Sequence, residues 1–210
     1  MKFPTLWALG LLVGLSACSP DPTPSELSDS SEAKSQLVAN MKRVTDNHSY
    51  SRPDEAVTTH LHWDAKVDFV QRQIHATATY DIQVASDAER LMLDCRDLTI
   101  HSVTVDGETV DAQLGPEQPF IGQPLSIPIT PQSKKVSVDY TTSPDASAFL
   151  WVEGERPFLF TQSQAILART WVPCQDSPGV RFTYSADVEV PSNLMALMSA
   201  VNPTEKSQDG

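Results

Sequence analysis

The chain has 210 residues, room for one large domain with appendages. Hydrophobic residues at 40% and charged ones at 20% exclude a wholly disordered chain, and 27 Asp and Glu against 15 Lys and Arg (net charge −12) argue against a nucleic-acid binder, which must concentrate positive charge. Sixteen prolines against eight glycines all but exclude an all-α fold, because each proline inside a helix removes a hydrogen bond and adds a clash.

In chain order, Met1-Lys2 precedes an apolar run over 6–15 that is shorter than the ~20 residues needed to span a bilayer. Charged start, short apolar stretch and small exit residues form a secretory signal. The exit Leu15-Ser16-Ala17-Cys18 resembles the bacterial lipobox. It predicts a signal peptide over 1–17 and a lipidated Cys18 as the mature N-terminus, anchored in the membrane. Ser19 rather than Asp after the cysteine implies a periplasm-facing lipoprotein of the outer membrane. Residues 18–55 read as a flexible, partly helical tether. Pro20, Pro22 and Pro24 open it, and Leu37, Met41 and Val44 recur at helical spacing behind the capping-box pair Asp29 and Glu32. Cys95 and Cys174 are then left either to pair or to sit as buried thiols, and the latter is favoured.

From residue 56 the period is two. Leu61, Trp63, Ala65, Val67 and Phe69 alternate with polar residues, and Ile74, Ala76, Ala78, Tyr80, Ile82 and Val84 do so after the break Gln71-Arg72-Gln73. A long hairpin is expected. Leu91-Met92-Leu93 reads as a fully buried strand, and 100–105 as a strand turning at Asp106-Gly107. Further strands are expected over 125–129, 135–140, 149–152, 158–161 and 181–190, with 195–200 as the return partner of the last. Short strands with turn signals between them predict an all-β domain over 56–210, a saddle-like sandwich of antiparallel and mixed sheets.

Catalytic signatures are scarce. His60 and His62 share a strand face, as a zinc site needs, but Asp64, Lys66 and Asp68 share it too, so a solvated face is favoured and no metal ligand is assigned. Neither H-E-x-x-H nor G-x-S-x-G nor C-x-x-C occurs. Asp94 and Asp97 read as turn carboxylates, and no catalytic residue is assigned. Gln162-Ser163-Gln164 follows the apolar strand at 158–161, and such amides can offer donors and acceptors to a peptide-like ligand or sit in a buried corner. Pro173, Asp176, Pro178 and Gly179 fix a tight turn beyond it.

Gln162-Ser163-Gln164-Ala165, Arg169, Pro173-Cys174-Gln175-Asp176-Ser177-Pro178 and Phe182-Thr183-Tyr184 together resemble the N-terminal domain of the M1 zinc aminopeptidases, in particular the leukotriene A4 hydrolase-like branch. Leu93-Asp94 and Thr142-Ser143-Pro144 extend the likeness to about residues 56–202. The resemblance implies a β domain packed on a separate thermolysin-like catalytic domain. It also implies peptide as substrate, with Gln164 recognising its N-terminus beside Gln162 and Ser163, and Zn2+ as the cofactor of the intact enzyme. The family's zinc motif lies beyond the residues present, so the chain reads as truncated, binding no zinc and inactive alone. A non-catalytic β-sandwich lipoprotein that binds a peptide or protein partner is the alternative.

Overall fold

The computed structural model describes residues 46–205. All belong to the second of two compact units, Arg43–Gly210. The expected signal peptide, Cys18, the tether helix and the last five residues lie outside the described residues.

The strands are β1 (Ala56–Asp68), β2 (Gln73–Val84), β3 (Arg90–Cys95), β4 (Leu98–Val105), β5 (Glu108–Thr109), β6 (Gln113–Leu114), β7 (Gln123–Pro128), β8 (Lys135–Thr142), β9 (Phe149–Val152), β10 (Phe158–Thr161) and β11 (Thr183–Glu189). Among the described residues a single 3-10 turn, Ala168–Thr170, is helical. The domain is all-β. Six strands form one sheet in the order β11-β1-β2-β8-β4-β5, three form β3-β7-β6, and β9 pairs with β10. Every pairing is antiparallel except β1 with β11, which makes the large sheet mixed.

The β1–β2 hairpin follows from its alternation. Leu61, Trp63, Ala65 and Val67 are buried on one face, opposite Tyr80, Ala78, Ala76 and Ile74. Its turn is closed by Asp68, whose Oδ1 accepts the N–H groups of Val70 and Gln71 at 2.8 Å each. The Asp106-Gly107 turn between β4 and β5 has φ of 51° and 92°, the left-handed pair that a tight hairpin requires. Asp106 also accepts the N–H groups of Lys134 and Lys135 and so fixes where β8 begins. Val136, Val138 and Tyr140 of the large sheet share one core with Leu91, Leu93, Leu125 and Ile127 of the three-stranded sheet.

Two expectations are corrected. Residues 195–200 form no strand. Asn202 takes up their backbone locally, accepting the Met198 N–H and donating to Met198 O and Ala200 O. A groove of about 770 Å³ lies between them and β11. Asp94 is no turn carboxylate either: it is fully buried within β3, while Asp97, at φ 57°, occupies the turn.

Candidate functional site

The segment from β9 to residue 176 is built in three layers. The outermost is the β9–β10 hairpin, in which Phe158 faces Val152 and Phe160 faces Leu150. Those four side chains are exposed, while Phe149, Trp151 and Leu159 on the opposite face pack on the core. Trp151 stands edge-on to Phe69 and Phe149, with ring centroids 5.3 and 5.6 Å apart.

At the end of β10 the chain reaches Gln162, Ser163 and Gln164. The Gln162 N–H donates to Ala148 O at 2.8 Å, and its side-chain Oε1 accepts the Gln164 N–H at 3.1 Å. Ser163 turns inward, its Oγ accepting Trp171 Nε1–H at 3.1 Å and its carbonyl accepting the Leu167 N–H. Gln162 and Gln164 are exposed, and the Gln164 side chain makes no hydrogen bond to any described residue. The structure therefore brings the three expected residues together in distinct settings: a self-braced amide, a half-buried hydroxyl, and an amide open to a ligand. What this arrangement can do is hydrogen-bond a polar group beside an apolar surface.

Residues 171–176 form a strap between the two main sheets. Trp63 Nε1–H donates to Tyr140 Oη, which donates in turn to Trp171 O, each at 2.8 Å. Tyr80 Oη donates to Pro173 O. Burial pushes both tyrosine hydroxyls well above their usual pKa, so they remain donors. Cys174 pairs with Asp94 on the edge of β3, N–H to O at 2.7 and 3.2 Å. Gln175 does the same for β1 with its side chain, accepting the Thr58 N–H and donating to Ala56 O at 2.9 Å each. Cys95 and Cys174 are buried free thiols, and burial raises both.

Beneath the strap lies an ionic cluster that the sequence reading missed. Arg169 is fully buried. Its Nε donates to Asp176 Oδ2 at 3.0 Å, one amino group donates to Ile121 O at 2.8 Å, and the other to Asp176 O at 2.9 Å. Asp94 lies 3.7 Å from the guanidinium and accepts Ser49 Oγ–H, the Tyr50 N–H and the Asp176 N–H. Burial raises the Asp94 pKa, and these hydrogen bonds and the guanidinium pull it back down only in part. The cluster thereby fastens residues 49–50, inside the expected tether, to the domain. Its one sequence signal was a charged residue inside the apolar run 166–172.

Among the described residues, no group of three or more His, Cys, Asp or Glu is gathered as a catalytic zinc centre needs, so they do not fit one. Comparison with known proteins places this geometry in context. The peptidase M1 N-terminal domain matches residues 57–210. Leukotriene A-4 hydrolase of Xenopus laevis is 38% identical over 177 residues, covering 79% of this chain and 29% of that protein. The structure of the yeast leukotriene A4 hydrolase in complex with bestatin superposes with a TM-score of 0.68 at 24% identity, over 76% of this chain and 27% of that one. An M1 zinc metallopeptidase from Deinococcus radiodurans, bound to a Tyr-Ser-Ala substrate, gives a TM-score of 0.56 at 16% identity, over 74% of this chain and 37% of that one. The chain thus spans under a third of the length of its curated relative.

Proposed function

This chain belongs to the peptidase M1 N-terminal domain family, and from that premise we propose that it serves as the substrate-pocket domain of a secreted zinc aminopeptidase, releasing N-terminal residues from peptides. The observation that carries the reading is Gln164: an exposed amide with no internal partner, at the end of the apolar β9–β10 hairpin. Gln164 hydrogen-bonds the substrate's amino terminus through its Oε1, with Gln162 bracing the loop through the Gln164 N–H and Ser163 tying it to Trp171. As an amide it gives a hydrogen bond rather than an ion pair to the α-ammonium. The exposed face of the hairpin docks on the catalytic domain, which supplies the zinc and the general base; no metal-dependent step is assigned to these residues.

Kinetics of the enzyme that includes the catalytic domain test this. Gln164→Ala is expected to lower kcat/KM about ten- to hundredfold, the equivalent of a lost bond to a charged group worth roughly 1.5–3 kcal/mol. Gln71→Ala, on the exposed β1–β2 turn, is the control and should cost under about 0.5 kcal/mol. Equal kinetics for the two at matched thermal stability would leave Gln164 a mere loop residue.

The lipobox-like Leu15-Ser16-Ala17-Cys18 supports anchoring of this enzyme in the outer membrane through Cys18. Labelled palmitate should enter the wild type and not Cys18→Ser, which should accumulate as uncleaved precursor. Equal labelling of both removes the anchor from the proposal.

A further inference from the structure

Four of the chain's five histidines stand on the solvent side of the six-stranded sheet, and they stand in pairs. His60 and His62 alternate along β1. His60 Nε2 and His62 Nδ1 both point at one atom, Ser185 Oγ of β11, at 3.1 and 3.0 Å. Their other ring nitrogens are already held, His60 Nδ1 on Thr183 Oγ1 at 2.8 Å and His62 Nε2 facing the Asp187 carboxylate at 3.5 Å. The second pair spans three strands. His75 Nδ1 of β2 and His101 Nε2 of β4 converge on Thr141 Oγ1 of β8, at 2.9 and 2.8 Å. His101 is the extra residue of a bulge in β4, between Ile100 and Ser102, and the bulge re-aims its ring.

A hydroxyl can donate to one ring nitrogen and accept the N–H of another, so in each pair two imidazole nitrogens converge on a single oxygen. In each pair the converging nitrogens lie no more than about 6 Å apart, since both are about 3 Å from one oxygen. Small side-chain rotations bring two such nitrogens to the ~2.0–2.1 Å bonds of a shared metal ion. We propose that each histidine pair chelates a divalent transition-metal ion such as Cu2+, Ni2+ or Zn2+, through His60 Nε2 with His62 Nδ1 and through His75 Nδ1 with His101 Nε2.

Imidazole nitrogen selects these borderline ions over Ca2+ and Mg2+, which take oxygen. Each site has two protein nitrogens rather than three or more clustered donors, so hydroxyl and water complete the sphere and the ion exchanges. Cu2+ binds tightest, following the general order of divalent affinities. The net charge of −12 favours encounter with a dication. The His60–His62 site is the tighter of the two, because Thr183 and Asp187 fix its rings from behind as outer partners do in metal sites.

The test is Cu2+ titration of the untagged full chain, read by calorimetry and by the nitrogen couplings in the Cu2+ paramagnetic resonance spectrum. Two nitrogen-ligated ions per chain are expected, and no heat with Ca2+. His62→Gln should weaken the tighter site and His75→Gln the weaker one. Each loss should be at least about tenfold, since removing a mere outer partner already costs about 10–100-fold. His48→Gln, at the exposed histidine beside Asp46, should change neither site. All variants sit on the exposed sheet face or the N-terminal segment, and circular dichroism confirms that they fold. A His62→Gln/His75→Gln double variant that still takes up two Cu2+ ions with wild-type affinity overturns the proposal, as does a wild type that shows no nitrogen couplings.

Discussion

At the scale of single residues, charge burial divides the ionic contacts of this domain into two classes. Lys135 and Asp81 approach to 2.7 Å on the outer sheet face, and Lys66 and Glu189 to 2.6 Å, yet each of these side chains is about half exposed or more. Such pairs are screened by water and contribute little to stability. Arg169 and Asp94 are both 0% exposed, and there the comparison runs the other way. Removing one member leaves the other as an uncompensated buried charge, which costs about 3–5 kcal/mol. Against a total stability of about 5–15 kcal/mol that is a large fraction. Arg169→Met is therefore expected to shift the urea midpoint strongly downward with little change in slope, while Lys135→Ala moves it by less than about 1 kcal/mol. Equal small shifts would show that the Arg169 cluster relaxes by admitting water.

At the scale of elements, the 171–176 strap is an irregular segment performing the work of a strand. Its backbone pairs with β3 through Cys174, and the Gln175 amide stands in for backbone at the start of β1, before β11 begins its own pairing at His60. Gln175→Ala would strand the Thr58 N–H and the Ala56 carbonyl in a buried setting, at about 1–3 kcal/mol for each group. The expected signature is local: amide exchange at Thr58 should accelerate more than exchange across the β2–β8 ladder. Uniform acceleration throughout the sheet would instead mean that Gln175 acts on global stability alone. This element also marks the limit of what could be read from the sequence. The β1–β2 hairpin, the Asp106-Gly107 turn and the strands up to β10 other than the two-residue β6 were legible because period-two alternation and turn chemistry are local signals. The strap was visible only as a motif, because side chains replace backbone partners there and the partners are more than a hundred residues away. Residues 195–200 misled for the opposite reason: their composition is strand-like, but Asn202 satisfies their backbone in place. Gln162, Ser163 and Gln164 were placed correctly on one loop, while the exposure that separates Gln164 from Ser163 depends on Trp171 reaching Ser163, which no local pattern reveals.

At the scale of the whole molecule, the two exposed surfaces differ in kind. The outer face of the large sheet is polar and densely hydrogen-bonded, as His60, His62, Thr79 and Ser137 illustrate. The β9–β10 hairpin is apolar on both faces: Leu150, Val152, Phe158 and Phe160 are 58, 44, 55 and 48% exposed, although an isolated hairpin gains nothing from wetting such residues. Their direct cross-strand pairing makes them one contiguous patch, which the proposed docking on a catalytic domain would cover. Leu150→Thr with Phe160→Thr keeps strand propensity while removing one opposed pair from that patch. Because both positions are already half wet, the stability of the chain itself should change by less than about 1 kcal/mol. Self-association of the chain alone, measured by sedimentation velocity, should fall. In the enzyme that includes the catalytic domain, the same double variant should split one thermal unfolding transition into two, since the domains no longer share a desolvated joint. A single unaltered transition, with a chain that is monomeric before and after substitution, would place the joint elsewhere on the domain.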